Sequence, residues 1–273
     1  MKKSILSLFI AGALVVALNQ PINAGSKADL SGQTLTVGAT LVPHAELLNL
    51  VKDDLAKLGI TLKVVEYTDY VQPNEALIAG DLDANYFQHR PYLESNETWK
   101  AALATAFGVH VEPLGLYSTK IKKIGDLKAG ATIAIPNDPS NGGRALLLLQ
   151  SKGLLTLKPG AGLTATPQDI AANPKNFQFR ELEAAQLPRA LGDVDAAVIN
   201  GNYALEAKFT AKDALIIEGA DSPYVNYVVV KKGNERDPRI LALQKVLLSK
   251  KVKDYITQKW GGGSAELSVI ATF

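Results

Sequence analysis

The sequence contains no cysteine, one methionine and three histidines. The lack of cysteine excludes disulfide bonds, thiolate nucleophiles, thiolate metal sites and a lipid attached through an N-terminal cysteine. His44, His89 and His110 do not have the helical spacing of metal ligands, and no Gly-x-Ser-x-Gly elbow occurs. We therefore expect a protein that is not an enzyme and that needs neither a metal nor a cofactor.

The chain also lacks a strong excess of charge of either sign, since its formal net charge is +2 over 273 residues. A nucleic-acid-binding protein usually carries a clear basic surplus, so we expect no nucleic-acid partner. The short basic stretch at 118–128 is interrupted by an acidic residue, and we interpret it as a solvated face. With 47% hydrophobic residues, the chain can form one large domain or two medium ones.

Residues 1–24 have the layout of a secretory signal peptide. Two lysines precede an apolar run from Ile5 to Leu18, and a candidate cleavage site follows Ala24. The run is shorter than the roughly 17 to 25 apolar residues that span a bilayer. We predict a cleaved, freely soluble periplasmic protein.

Strand and helix patterns alternate in the first half of the chain after the predicted signal. Strands are predicted at 34–40, 60–67 and 82–88, and helices at 43–59 and 70–81. The predicted apolar stripe of the first helix consists of Leu47, Leu48, Val51, Leu55 and Leu58. Such alternation predicts a mostly parallel sheet covered by helices on both faces.

A second α/β unit follows, with strands predicted at 131–136 and 177–183 and a helix that ends at Gly153. The two halves share a short motif, since Gly80–Ala84 (GDLDA) matches Gly192–Ala196 (GDVDA). This alignment makes Phe87 equivalent to Ile199, and residue 88 equivalent to residue 200. The position of the motif before a strand in each half favours two related lobes.

Two extended segments, 111–120 and 222–232, are predicted to carry the chain between the lobes. The predicted fold is thus a two-lobe α/β fold of the periplasmic-binding-protein type (type II), with two crossing strands as a hinge and the ligand in the interlobe cleft. Lobe 1 is predicted to comprise residues 33–115 and 227–273, and lobe 2 residues 116–226.

The stretch Leu82–Leu93 (LDANYFQHRPYL) is rich in rings, and it follows the third predicted strand. Ligands of open α/β sheets bind outside the carboxyl ends of the strands. Phe87, His89 and Tyr92, with Tyr70 one loop earlier, suit an apolar or polarizable ligand side chain such as a thioether. Tyr86 alternates with Phe87 and is assigned to the core.

The loop 137–143 after the second-lobe strand leads into a helix, with Ser140 or Asn141 as its predicted cap and Arg144 in its first turn. A cation there opposes the helix dipole unless an anion is bound, so we predict that Arg144 receives a carboxylate. Two glycines, 142 and 143, would allow close approach of the ligand. The alternative is a surface arginine paired with Asp138.

Two asparagines complete the predicted site. Asn200 ends the strand at 195–200, and Asn226 lies in the second crossing segment. A side-chain amide both donates and accepts, so the pair suits the two ends of an amino-acid zwitterion. Capping or turn bonding is the alternative for each asparagine.

Several long motifs closely resemble the methionine-binding (NlpA-like) lipoproteins of bacterial ABC importers. They include TDYVQPNEALIAGDLDANYFQHRPYL, AIPNDPSNGGRALLLLQSKG, AAVINGNYA and SPYVNYVVV, and the resemblance runs from about Thr34 to Trp260. It implies a methionine ligand, with the choice between the L and D forms left open, and delivery to a membrane permease with its ATPase. The ligand-binding residues that it implies are Tyr70, Phe87, His89, Tyr92, Asn141, Arg144, Asn200 and Asn226.

Members of that family carry a lipidated cysteine, which this sequence does not contain. We expect a monomer. The alternative ligands are a methionine-containing dipeptide or another small amino acid. The alternative classes are an exported enzyme that uses His89 as a base against a small carboxylate and, less favoured, a surface adhesin or scaffold.

Overall fold

A computed structural model of the chain describes residues 30–219, 222–261 and 269–273. The predicted signal peptide (1–24) and the glycines at 262 and 263 lie outside the described residues. In the described ranges, no helix has both the length and the apolar character needed to cross a membrane.

Thirteen strands occur in the described part of the chain. They are β1 (Gln33–Thr40), β2 (Ile60–Tyr67), β3 (Ala84–His89), β4 (Leu103–Val111), β5 (Gly115–Tyr117), β6 (Thr132–Pro136), β7 (Thr156–Leu157), β8 (Ile170–Ala172), β9 (Gln178–Leu182), β10 (Ala196–Ile199), β11 (Ile216–Ile217), β12 (Val225–Lys231) and β13 (Ile270–Ala271).

Ten α-helices accompany them in the same ranges. They are α1 (Glu46–Leu50), α2 (Lys52–Ala56), α3 (Gln72–Ala79), α4 (Arg90–Glu94), α5 (Glu97–Ala102), α6 (Pro139–Ser151), α7 (Leu187–Ala190), α8 (Gly201–Glu206), α9 (Pro238–Leu247) and α10 (Lys250–Trp260). The predicted strands and helices are thus present, within a few residues of their predicted ends.

The strands form two main sheets, each with its own hydrophobic core. The first sheet has the order β13-β4-β12-β3-β1-β2, and the second has the order β11-β5-β10-β6-β9. In the first sheet only β1 pairs in parallel, with β2 and β3; in the second, β6 pairs in parallel with β9 and β10.

The prediction of a mostly parallel sheet is therefore wrong, because both sheets are mixed. The antiparallel side of each sheet comes from segments that connect the two sheets: β12 pairs antiparallel with β3 and β4, and β5 pairs antiparallel with β10 and β11. Helix–strand alternation cannot reveal this, because a crossing strand has no helix of its own. The chain leaves the first sheet after Val111 and returns to it at Val225.

The first predicted helix is broken rather than continuous. A π-helical turn at Leu41–Ala45 precedes α1, and Val51 leaves helical geometry between α1 and α2. Leu47 and Leu55 are fully buried as predicted, but Leu58 is 37% exposed. The reason is that α2 ends at Ala56, so Leu58 lies in the turn before β2.

The shared motif of the two halves has the same structural role in both. The backbone N–H of Thr36 donates to the carboxylate of Asp83 at 2.8 Å, and that of Thr132 donates to Asp195 at 2.8 Å. In return, the N–H of Asp83 and that of Asp195 donate to the carbonyls of the same two threonines. Each aspartate thus sets the register of its strand at the end away from the cleft.

Tyr86 and the C-terminal segment both form part of the first sheet. Tyr86 is fully buried in the core of the first sheet, as predicted from its alternation with Phe87. The C-terminal segment contributes β13, whose Ile270 and Ala271 pair with β4 at the edge of the first sheet.

Candidate functional site

A small cavity lies between the two sheets, at the ends of β3, β4 and β10 and the start of α6. It is lined by Tyr70, Phe87, Gln88, His89, Tyr92, Glu112, Asn141, Arg144, Asn200, Gly201, Asn202 and Asn226. All eight residues predicted from the sequence are among these twelve. Its volume is about 20 Å³, room for about one water-sized sphere.

One end of the cavity is aromatic. The Tyr70 ring centroid lies 5.8 Å from that of Phe87 and 5.6 Å from that of Tyr92. The Tyr92 hydroxyl donates to the Tyr70 carbonyl at 3.1 Å, and the Tyr70 hydroxyl donates to Oδ1 of Asn202 at 2.5 Å. Burial raises the pKa of both phenols above the usual range, so both hydroxyls remain donors.

The imidazole of His89 joins the aromatic end to the polar end. Its Nδ1 accepts from the backbone N–H of Tyr92 at 3.2 Å and caps α4, while Nε2 lies 3.1 Å from Oδ1 of Asn141. Nδ1 is therefore the acceptor and Nε2–H the donor. Burial, reinforced by the charge of Arg144, lowers the pKa of His89 to about 3, so the ring is neutral at physiological pH.

Arg144 lies at the polar end, 3% exposed, and is held from several sides. Its Nε and Nη2 donate to the two carboxylate oxygens of Glu218 at 2.7 and 2.5 Å. Nη2 also donates to the Glu112 carbonyl at 2.9 Å, and the guanidinium lies 4.0 Å from the ring centroid of Tyr224. The side chain is thus fixed by contacts within the protein, with its charge paired to Glu218.

Two sequence arguments about this helix are wrong. The cap of α6 is Asp138, which accepts from the backbone N–H of Asn141 at 2.8 Å, so Arg144 falls in the second turn, beyond the strongest part of the dipole. Arg144 also pairs with Glu218 rather than with Asp138.

The two glycines of α6 serve packing within the protein rather than approach of a ligand. A Cβ at Gly143 would lie 2.2 Å from the Leu163 carbonyl oxygen, and a Cβ at Gly142 would lie 2.9 Å from that of Pro136. The close approach predicted from the sequence therefore exists, but the approaching group is backbone of the second lobe.

The asparagines of the site are held by side-chain hydrogen bonds. Nδ2 of Asn200 donates to Oδ1 of Asn141 at 2.9 Å, and Oδ1 of Asn226 lies 3.2 Å from Nε2 of His44. Asn200 occupies the N-cap position of α8, yet its side chain makes no capping bond. Its Oδ1 is buried and has no hydrogen-bond partner among the described residues. The capping alternative is thus wrong for Asn200.

Four lining residues were not predicted: Gln88, Glu112, Gly201 and Asn202. Gln88 lies between Phe87 and His89, and Gly201 and Asn202 follow Asn200 in the sequence, so they could have been found by including the residues next to each predicted one. Glu112 follows β4 directly, and a lone carboxylate at the end of an apolar strand is the signal that could have found it.

Glu112 belongs to a buried network with two histidines. Its Oε1 lies 2.7 Å from Nε2 of His110 and 3.1 Å from Nε2 of His44. Nδ1 of His44 lies 2.8 Å from the Thr40 hydroxyl, and Nδ1 of His110 lies 2.5 Å from the Tyr86 hydroxyl. Burial lowers the pKa of His44 to about 4 and that of His110 to about 3.

The same three side chains have the donor types of a metal site. Ligand atoms of His44, His110 and Glu112 lie within 4.8 Å of one another, as no other such group does in the described ranges. Every ring nitrogen already has a hydrogen-bond partner in Thr40, Tyr86 or Glu112. The cluster is therefore complete as a hydrogen-bond network, and we assign it no metal.

Two α/β lobes around a cavity with an aromatic end and a polar end define the class of two-lobe solute-binding proteins. Comparison with known families agrees with this class. The profile of the NlpA lipoprotein family matches residues 35–268, and the chain belongs to that family.

Characterised relatives and solved structures resemble the chain over most of its length. The D-methionine-binding lipoprotein MetQ of Escherichia coli (strain K12) is 42% identical over 226 residues, which are 81% of this chain and 83% of the relative. A nutrient binding protein from Burkholderia cenocepacia, solved bound to methionine, is 46% identical with a TM-score of 0.83, and covers 88% of this chain and 100% of its own.

A periplasmic substrate-binding protein of an ABC transporter from Coxiella burnetii is 42% identical with a TM-score of 0.81, and covers 87% of this chain and 100% of its own. These names describe binding proteins, in agreement with the prediction that the chain is not an enzyme. The family and the two-lobe fold predicted from the sequence are confirmed.

Proposed function

We propose that this chain is an exported solute-binding protein that encloses methionine between its two lobes and delivers it to an ABC importer. The cavity carries this proposal, because an aromatic end and a fixed arginine with asparagines lie within one small enclosed space. A thioether packs favourably against aromatic rings, and a guanidinium binds a carboxylate. The relatives named for methionine binding support the same ligand.

Binding requires the lobes to move apart. The cavity has room for about one water-sized sphere, and hydrogen bonds such as Tyr203 to the Thr68 carbonyl cross between the sheets. An amino acid can therefore enter only when these contacts open. The hinge passes through the two crossings, where the chain leaves the first sheet after Val111 and returns to it at Val225. We propose the predicted lobes, 33–115 with 227–273 and 116–226, with their boundaries moved by a few residues to these points.

Calorimetric titration with L-methionine tests the proposal. Arg144→Lys should weaken binding by roughly tenfold or more, because a lysine cannot keep the paired bonds to Glu218 while facing a ligand. Arg189→Lys, an exposed arginine on α7, is the matched control and should bind like the wild type. Wild-type protein that binds no amino acid or short peptide would contradict the proposal.

Other ligands are distinguished by the same titration. Small amino acids without a thioether should bind more weakly than L-methionine, because they cannot make the favourable contact with the aromatic end. D-methionine and glycyl-methionine keep both the carboxylate and the thioether, so their titration shows whether the site distinguishes the configuration and the length of the ligand. A dipeptide that binds more tightly would make the chain a peptide receptor.

An exported enzyme that uses His89 as a base has little support, because both ring nitrogens are engaged and burial lowers the pKa of His89 to about 3. Incubation with methionine and candidate peptides followed by mass spectrometry should return them unchanged.

We further propose that the mature protein is a soluble periplasmic monomer that starts after Ala24. The relatives are named lipoproteins, whereas this sequence contains no cysteine to receive a lipid. Osmotic-shock fractionation should release the protein with a soluble periplasmic marker, and its intact mass should match cleavage after Ala24. Retention in the membrane fraction would contradict this part of the proposal.

A further inference from the structure

Glu206 is the last residue of α8 and lies where the second lobe meets the first. Helix α8 packs against the π-helical turn at Leu41–Ala45 of the first lobe, and its Leu205 packs against the hydrophobic core of the first sheet. Across this contact the Glu206 carboxylate faces the backbone N–H of Val42. We propose that Glu206 couples closure of the lobes to the uptake of a proton, so that a lower pH favours the closed form.

The closed structure provides poor surroundings for a negative charge on this side chain. Oε1 of Glu206 is buried and has no hydrogen-bond partner among the described residues. The position at the end of α8 adds to this, because the free backbone carbonyls at the end of a helix disfavour a negative charge. A carboxyl group in such a place is more stable with a proton, since a buried charge without a partner is costly.

The titratable groups near Glu206 do not offset its charge. Glu112, at the end of β4, has the same sign and raises the pKa of Glu206 further. The π-helical turn contributes His44, which is neutral at physiological pH because burial lowers its pKa to about 4. Along α8 and around it lie one phenol, two acids and one exposed lysine, namely Tyr203, Asp69, Glu183 and Lys208.

Separation of the lobes would expose Glu206 to water, because the first lobe covers α8 at this point. Burial and the charge of Glu112 raise the pKa of Glu206 to about 7 in the closed structure, against 4.5 for an ordinary glutamate. Between these values the closed form binds a proton that the open form does not. The ligand is held by the closed form, so its affinity should rise as the pH falls from 8 towards 5.

This inference rests on the proposed function, and calorimetry at several pH values tests it. L-methionine is titrated into wild-type protein, Glu206→Gln and the control Glu97→Gln, whose glutamate is 85% exposed. The gain in affinity from pH 8 to pH 6 should be roughly three- to tenfold larger in wild type and in the control than in Glu206→Gln. At pH 7, titrations in buffers of different ionisation enthalpy should show that wild type takes up about half a proton more per methionine than Glu206→Gln.

An equal pH dependence in all three proteins overturns the role of Glu206 and leaves the proposed function standing. Wild-type protein that binds no methionine at any pH overturns the proposed function instead. In that case, or if Glu206→Gln does not fold, small-angle X-ray scattering of the unliganded wild-type protein decides. A smaller radius of gyration at pH 6 than at pH 8 supports the inference, and an equal radius at both pH values overturns it.

Discussion

The strands β3 and β10 occupy corresponding places in the two halves, and they begin alike but end differently. Each begins with an aspartate that exchanges hydrogen bonds with a threonine of the neighbouring strand. At the far end β3 delivers Phe87 and His89 to the cavity, whereas β10 delivers Asn200. The starts of the two strands thus share the same hydrogen-bond pattern. Their ends, which face the cleft, carry different side chains in the two halves.

The largest effects should come from the equivalent residues Phe87 and Ile199. Truncation of either to alanine should cost about 2 to 5 kcal/mol in free energy of unfolding, because both are buried. Only Phe87→Ala should also weaken methionine binding, since Ile199 does not line the cavity. Urea denaturation and calorimetry measure the two quantities separately.

If an alanine variant does not fold, Phe87→Leu and Ile199→Val provide a milder pair with the same expected contrast. Loss of affinity in the Ile199 variant but not in the Phe87 variant would show that the cavity is not the ligand site.

The two lobes should also differ in their response to acid, because all three histidines lie in the first lobe. Burial lowers the pKa of His110 to about 3, against 6.5 for an ordinary histidine. Between these values the unfolded chain binds a proton that the folded chain does not, so stability is full above pH 6.5 and falls as the pH drops towards 3.

The slope for one such proton is about 1.4 kcal/mol per pH unit. His110→Gln should therefore flatten the decline of unfolding free energy between pH 6.5 and 5, as urea titrations at several pH values would show. Glu206 acts in the opposite direction: burial raises its pKa to about 7, and its contribution is lost as the pH rises through that value. Glu206→Gln is the control variant and should steepen the decline below pH 6.5.

A smaller effect should follow from changing the two aspartates that precede β3 and β10, Asp83 and Asp195. Asp83→Asn and Asp195→Asn should each cost about 1 kcal/mol of unfolding free energy, because each weakens a charged hydrogen bond to a backbone N–H. Methionine affinity should not change in either variant, since both residues lie at the end of the strand away from the cleft. A changed affinity would contradict the assignment of these residues to strand registration.

The smallest effect should come from a contact between the lobes. Tyr203→Phe removes the hydrogen bond to the Thr68 carbonyl, at 3.1 Å, but keeps the ring packed on Tyr70, with centroids 4.9 Å apart. Affinity should fall by only a few fold, about 0.5 to 1 kcal/mol, because the closed form loses one neutral hydrogen bond. Tyr117→Phe, within the second lobe, is the control and should leave affinity unchanged.

The local elements could be predicted because their signals are local. The apolar alternation of β2 and the glycine after α6 depend on neighbours a few residues away, and strand exits of an α/β sheet indicate where side chains meet. Phe87, His89 and Asn200 could be selected because they lie at the carboxyl ends of strands. Arg144 lies in the cavity as predicted, but the reason given for it, a position in the first turn of the helix, was wrong.

Long-range pairings could not be predicted. Glu218 meets Arg144 across 74 positions in sequence, and Asn226 meets His44 across 182. A single sequence contains no local signal for such pairs, because they form only when folding brings distant segments of the chain together. The mixed sheets could not be predicted for the same reason. The antiparallel strands β5 and β12 are not part of the alternating helix–strand pattern from which parallel pairing was predicted.

The sequence by itself thus determined the elements, the family resemblance and the residue types at the strand exits, because periodicity and turn chemistry act over short distances. Tertiary structure alone decided which of those side chains are free to meet a ligand. It tied Arg144 to Glu218, enclosed Glu112 between two histidines and left Oδ1 of Asn200 without a hydrogen-bond partner in the described part of the chain. Burial and pairing of charges depend on what the rest of the fold places beside them.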